Sequence, residues 1–284
     1  MRAKNIIKLL TSDIIIPDHL GKKYNIEGIS LRSFGSSLAD LEINFESRTV
    51  INSIKLMMNC VRKKSGESID EDFFWELPIS KRIEIIINIA FLNENDILGF
   101  KFSCKNETCR EKFEIELKKP EFFDYLHSYN NHISTPIKID ERKTIIRKPT
   151  SLDQRNWIEN HIQSPDKSNQ VVLNLVSVIS GRSKFKEIDI SKNLKAINLE
   201  FEKLDPILNL TKTLECPYCK ENNAFFLDLN KVALQKLYSI QKRLINSIHT
   251  IASVYHWNED EIISISNWRR DEYINIIKSG GEIP

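Results

Sequence analysis

The chain has 284 residues, enough for one large or two modest domains, and its 41 Lys and Arg nearly balance 39 Asp and Glu, for a formal charge of +2. That balance gives no overall attraction to nucleic acid or anionic lipid, while 41% hydrophobic residues allow a sizeable core. Glycine is scarce, at 8 residues, and neither GxGxxG nor GxxxxGK(S/T) occurs, which argues against a glycine-rich phosphate cradle.

Residues 1–25 read as a weakly structured arm, with Ile6, Ile7, Leu9 and Leu10 ahead of Pro17. Lys8 and Asp13 interrupt its apolar run, so no secretory signal is expected and synthesis in the cytoplasm is the default. Short strand pieces are expected around Ile29, Leu31, Leu41 and Ile43. A helix follows over about 48–62, where Val50, Ile51, Ile54, Met57, Met58 and Val61 recur at spacings of three and four; Cys60 there reads as a core thiol. Residues 63–72 read as a polar loop. A second helix begins near Pro78, although its Ile-rich run also suits a buried strand.

The period then changes. Residues 97–102 and 112–117 read as strands, the second with Phe113, Ile115 and Leu117 alternating with charges. After a linker with Pro120 and Pro136 come strand candidates at 137–139 and 144–147, then helices over 151–162, 168–180 and 191–203. A long helix is expected over 231–256, about 39 Å at 1.5 Å per residue, followed by short helices at 258–265 and 267–278. Asn258 and Glu261 fit a capping box for the first of these. No segment reaches the roughly 20 apolar residues that span a bilayer.

The strongest chemical signal is cysteine. Cys104 and Cys109 have four residues between them in a strand–turn–strand unit at 97–117, and Cys216 and Cys219 have two between them in a second unit at 213–229. Zinc takes four tetrahedral ligands, one hairpin supplies two thiolates, and two hairpins complete a closed, structural site with no open position for catalysis. In a reducing compartment such pairs suggest metal before disulfides. The 106 residues between Cys109 and Cys216 would make one shared zinc per chain a clip across the fold. The competing readings are four reduced surface thiols or, less naturally, a redox CxxC.

Catalytic patterns are missing: no HExxH, no GxSxG, and no tight ligand spacing among the six histidines. The chain therefore reads as a non-enzyme with no small-molecule substrate. A basic stretch over 138–155 carries Lys138, Arg142, Lys143, Arg147, Lys148 and Arg155 against three acids, and makes a zinc-dependent nucleic-acid-binding protein the alternative reading. The long helix offers Leu237, Leu244, Ile248 and Tyr255 as an apolar stripe, with Trp257, Trp268, Arg269 and Arg270 beyond it as candidate partner anchors. The same residues would serve a two-helix cap on the body equally well. The expected class is α+β: helices and short antiparallel strands, two cysteine knuckles forming a zinc-ribbon-like site in a body at 26–230, and a C-terminal helical arm at 231–284.

Four stretches carry a family likeness: EGISLRSFGSSLADL (27–41), ELPISKRIEIIINIAFLNENDILGFKFSCKNETC (76–109), IIRKPTSLDQRNW (145–157), and LDPILNLTKTLECPYC (204–219) with the tail IHTIASVYHWNEDEIISISNWRRDEYINII (248–277). In this order they resemble the baseplate hub assembly proteins of T-even-type phages and of phage-tail-like contractile injection systems. The tail and the cysteine pairs are the specific parts. The sequence departs from the pattern in its four-residue first knuckle, and in Arg110, Lys220 and His256, which stand where the pattern has glycine. The resemblance implies an assembly factor or minor component of the hub, with hub or spike subunits as partners, docked through the region from Lys231 onward, and with no membrane. It also implies a protein of the producing cell's cytoplasm that can enter the assembled particle.

Overall fold

The computed structural model describes residues 14–47, 50–93, 96–127, 132–139, 142–160, 175–178 and 190–280. Helices and short antiparallel strands alternate, as the α+β reading expected. At the centre lies α4 (Ile79–Asn93), buried on almost every side from Ile79 to Phe91. An isoleucine-rich segment with no polar face is stable as a helix when surrounded, and here α2 (Val50–Cys60) and the long α8 (Leu229–Tyr255) pack against it, with α3 (Glu71–Glu76) adding to the same core from beyond α2. The strand alternative for this segment is thereby settled in favour of helix.

Two further helices formed where the sequence suggested arm and loop. In α1 (Asp18–Tyr24), Leu20 is fully buried. In α3, the Asp70 side chain accepts the Asp72 N–H at 2.9 Å and Phe73, Phe74 and Trp75 go inward. The acidic run at 70–72 is therefore a helix start, where negative charge is favoured, and not a solvated loop. The supposed linker around Pro120 is α5 (Lys119–His127), with proline tolerated in its first turn. Of the strand pieces expected before residue 45, only β1 (Ile29–Leu31) is one; it pairs with β2 (Val61–Lys63), and Leu38–Asp40 is a 3-10 turn.

Hairpin β3 (Ile97–Ser103) and β4 (Lys112–Lys118) comes next, then β5 (Ser134–Ile139), β6 (Arg142–Arg147) and β7 (Val176–Val178) in one antiparallel sheet. Helix α6 (Ser151–Glu159) begins with a capping box of Thr150 and Asp153. The helix expected over 168–180 lies mostly outside the described residues, and its described part, Val176–Val178, is a strand. Helix α7 (Ile190–Leu204) covers the sheet, packing Ile197 and Leu204 on Ile139 and Ile146. Hairpin β8 (Thr211–Glu215) and β9 (Asn222–Phe226) leads directly into α8.

The structure shows no break at residue 230. Leu229, Ala233, Leu234 and Leu237 of α8 belong to the main core, while Leu244, Ile248 and Ile251 form a second cluster with Ile262 and Ile263 of α9 (Glu259–Ser264). Helix α10 (Asn267–Lys278) adds Tyr273, Ile274 and Ile277. Between the clusters, the buried Gln241 amide donates to the carbonyls of Asp40, Leu41 and Ile43 at 2.9, 3.2 and 2.9 Å. The expected Asn258–Glu261 capping box is present.

Candidate metal centre

Both knuckles close with the same hydrogen bonds. The N–H of the first cysteine donates to the carbonyl two residues beyond the second, Cys104 to Glu111 and Cys216 to Glu221, each at 2.9 Å. The residue after the second cysteine bends back four positions: Arg110 N–H donates to Asn106 O at 3.0 Å and Lys220 N–H to Cys216 O at 2.9 Å. That bend needs left-handed backbone, and Arg110 and Lys220 have φ of 50° and 66°. In the longer first knuckle the added residues precede this turn. The Asn106 side chain fixes them by accepting the Thr108 N–H at 2.9 Å.

The two turns face each other so that the first cysteine of one meets the second of the other. Cys104 Sγ lies 3.6 Å from Cys219 Sγ, and Cys109 Sγ lies 3.9 Å from Cys216 Sγ. All four sulfurs lie within 4.8 Å of one another. A tetrahedral ion with bonds of about 2.3 Å to sulfur, such as zinc, requires sulfurs about 3.8 Å apart. The four cysteines can thus hold one metal ion in a closed, all-thiolate shell. Among the described residues they are the one such cluster of three or more side chains; Cys60 stands apart in the core, its thiol pushed up to about 12 by burial.

The four sulfurs are not equivalent. Cys104 and Cys216 are buried, Cys109 is half-buried and Cys219 is exposed. Desolvation, reinforced by the neighbouring thiols, pushes Cys104 up to about 12. The Cys216 thiol is drawn down to about 7, chiefly by the backbone N–H groups of Cys219 and Tyr218. A divalent cation resolves this conflict by holding all four as thiolates.

Several contacts join the knuckles besides sulfur. Phe102 of β3 stacks on Phe225 of β9 with centroids 4.4 Å apart, and Phe113 meets Phe225 edge-on at 5.7 Å. Lys105 Nζ reaches Ala224 O, Asn106 Nδ2 reaches Glu221, and the buried Asn223 side chain bonds both Lys105 N–H and Cys104 Sγ. Sequence reading missed Asn223. The available signal was alternation, since Asn223 and Phe225 lie two apart on the inward face of β9.

The candidate partner residues divide sharply. Leu237, Leu244 and Ile248 are 0%, 5% and 6% exposed and pack within the chain. Tyr255 and Trp257 stack at 5.2 Å and close a half-buried triangle with Tyr273. Arg270 is buried, donating to the carbonyls of Ile262, Ile263 and Ile265 at the end of α9. Trp268 and Arg269 remain outside; Trp268 is 66% exposed, the highest among the exposed large apolar side chains.

The basic stretch is largely engaged. Arg147 grips Asp153 through two bonds of 2.5 and 2.8 Å, Lys148 faces the buried Asp205 at 3.9 Å, and Arg155 pairs with Glu159 at 2.7 Å. Among the described residues no helix is long and apolar enough to cross a membrane. Compared with known proteins, the chain matches no family model, no curated protein and no solved structure.

Proposed function

We propose that this protein is a non-enzymatic assembly factor or minor structural component of the baseplate hub in a contractile, phage-tail-like injection system, with a structural zinc ion clipping its two knuckles together. The observation that carries the reading is conformational. Among the described residues, four non-glycine residues have positive φ: Asn25, Arg110, Lys220 and His256. The last three stand at the positions where the baseplate-assembly pattern has glycine, the residue that adopts this backbone without strain. Substitutions away from glycine that keep a glycine conformation support descent from that pattern. The closed thiolate set supports zinc in a structural role, since it leaves no position for a substrate or an activated water.

In this reading the hub or spike partner meets the outer face of α10, where Trp268 and Arg269 project, while the rest of the expected apolar stripe holds the chain together. Trp and Arg are the residue types that dominate interface energetics. Truncation at residue 230 is a poor test, because it also removes Leu234 and Leu237 from the main core. Substitution is better. Native mass spectrometry of the tagged protein from its producing cells should find one zinc per chain with tail subunits attached. The double variant Trp268→Ala, Arg269→Glu should keep its zinc and its circular dichroism while capturing at least about tenfold less partner. A metal-free wild-type chain without tail proteins would overturn the reading.

A further inference from the structure

We infer that Asn223 is a positioning residue for the metal centre, fixing the Cys104 sulfur and tying the two knuckles into one preformed site; this rests on the metal reading above. The Asn223 side chain is 4% exposed and uses both of its polar atoms. Its Oδ1 accepts the Lys105 N–H at 3.1 Å, on the opposite knuckle. Its Nδ2 donates to Glu221 O at 3.0 Å, which orients the amide, and to Cys104 Sγ at 3.7 Å. Cys104 is itself buried, so water has little access to its sulfur. Four thiolates around one divalent cation leave two negative charges on the complex, and N–H donors to sulfur spread that charge and aim the lone pair. Asn223 supplies such a donor from the strand that leads out of the other knuckle. With the Phe102–Phe225 stack beneath, it holds the sulfurs near their final spacing before any ion arrives.

The discriminating variant is Asn223→Asp. It keeps an oxygen for the Lys105 N–H, so a purely structural tie between hairpins survives, but it sets a carboxylate oxygen against the Cys104 thiolate. Asn223→Leu brings no charge into the site and keeps the test open if the Asp variant does not fold. The probes are Co²⁺, read by its sulfur-to-metal charge-transfer absorption, and then Zn²⁺, read by competition with a coloured chelator. Wild-type protein should take up one Co²⁺ and show the intense near-ultraviolet bands of a four-thiolate site. Both variants should shift those bands and lose about 10–100-fold in zinc affinity, the Asp variant more. Unmoved bands together with zinc affinity within twofold of wild type in Asn223→Asp and Asn223→Leu would overturn the role of Asn223 and leave the metal centre standing. A wild-type chain that takes up neither ion would overturn both.

Discussion

The knuckle pair and the C-terminal end of α8 solve the same problem, attaching a sequence-distant segment to the body, by different means. The hairpins are short two-stranded ribbons with much exposed surface. Their inner ends join the main core through Leu98, Phe100 and Leu227, while the junction between the two turns relies on a small aromatic stack, a few side-chain hydrogen bonds and four sulfurs. Two-stranded ribbons of this size are marginal alone in water, so a metal has large leverage there. The distal half of α8 has its own apolar cluster, with Gln241 and Arg270 placed on backbone carbonyls that would otherwise be left buried and bare. The junction between the knuckles is chemical and can be removed by a chelator; the attachment of distal α8 is packing and cannot.

The sharpest way to break this comparison is metal removal. Closing the loop between the cysteine pairs should be worth about 4–5 kcal/mol in chain-entropy terms, which corresponds to a Tm lower by about 7–8 °C for a chain of this size. Calorimetry with and without a strong chelator measures it. Hydrogen exchange should then rise in β3, β4, β8 and β9 and stay low around Ile248, Ile251 and Ile262. A Tm that ignores the chelator would sink the clip.

The reciprocal test strikes the other attachment. Gln241→Leu leaves two buried carbonyls and one half-buried one without their donor and should cost about 2–3 kcal/mol. Urea midpoints should show the same loss with and without metal. If the loss disappears after chelation, the two attachments are one cooperative unit and the contrast fails.

How much of this was readable in the sequence follows the same division. The cysteine pairs, the strands flanking them and the Asn258–Glu261 cap were legible because each is set by local chemistry at fixed spacing. So were the helical periods of α2, α7 and α8. Periodicity gave the face that α8 would bury and was silent on which partner would bury it: Leu237, Leu244 and Ile248 look alike, yet the first meets the main core and the other two meet α9 and α10. The polar pairings of Arg147 with Asp153 and of Lys148 with Asp205 were also out of reach, since composition sees a basic run and only the fold brings acids to it. Helices α1 and α3 were missed for a related reason. They are short and held by burial of Leu20, Phe73 and Phe74, and a window of six or seven residues has too little period to register.

Acidity separates the attachments on a smaller scale. The metal binds thiolates, so binding must expel protons held by the free site, and the Cys104 thiol, pushed up to about 12, is protonated throughout the neutral range. Zinc affinity should therefore rise with pH by about tenfold or more per unit, and fall as the solution is acidified. Chelator competition at pH 6, 7 and 8 reads the slope. The C-terminal cluster should exchange its amides with no such dependence once intrinsic exchange rates are factored out. Asp153 adds a separate acid limb. Burial opposes its charge, but Arg147 and the Thr150 N–H outweigh burial and hold its carboxyl below the usual value of 3.8. A depressed carboxylate gives stability that is present above its unfolded pKa and lost as pH falls through its folded one. That loss belongs below the ordinary carboxylate range and should be absent in Asp153→Asn.

The finest comparison puts one backbone geometry in both regions. Arg110 and Lys220 close the knuckles, and His256 ends α8; in each, a left-handed residue sends its N–H back four positions, to Asn106, Cys216 and Ala252 at 3.0, 2.9 and 2.9 Å. Left-handed backbone costs an ordinary residue about 1–2 kcal/mol, and glycine returns about 0.5–1 kcal/mol of that through its freer unfolded chain. Little side-chain contact opposes the change, since the one ion pair of Lys220, to Glu215 at 3.4 Å, is between exposed groups. Arg110→Gly, Lys220→Gly and His256→Gly should each therefore stabilise by about 0.5–1 kcal/mol, measured by chemical denaturation of the metal-loaded protein. The gain at His256 should persist after chelation, because α8 keeps its cap. The gains at Arg110 and Lys220 should shrink with the metal, because without it the preformed knuckles open locally more often and the left-handed turn is less fully populated.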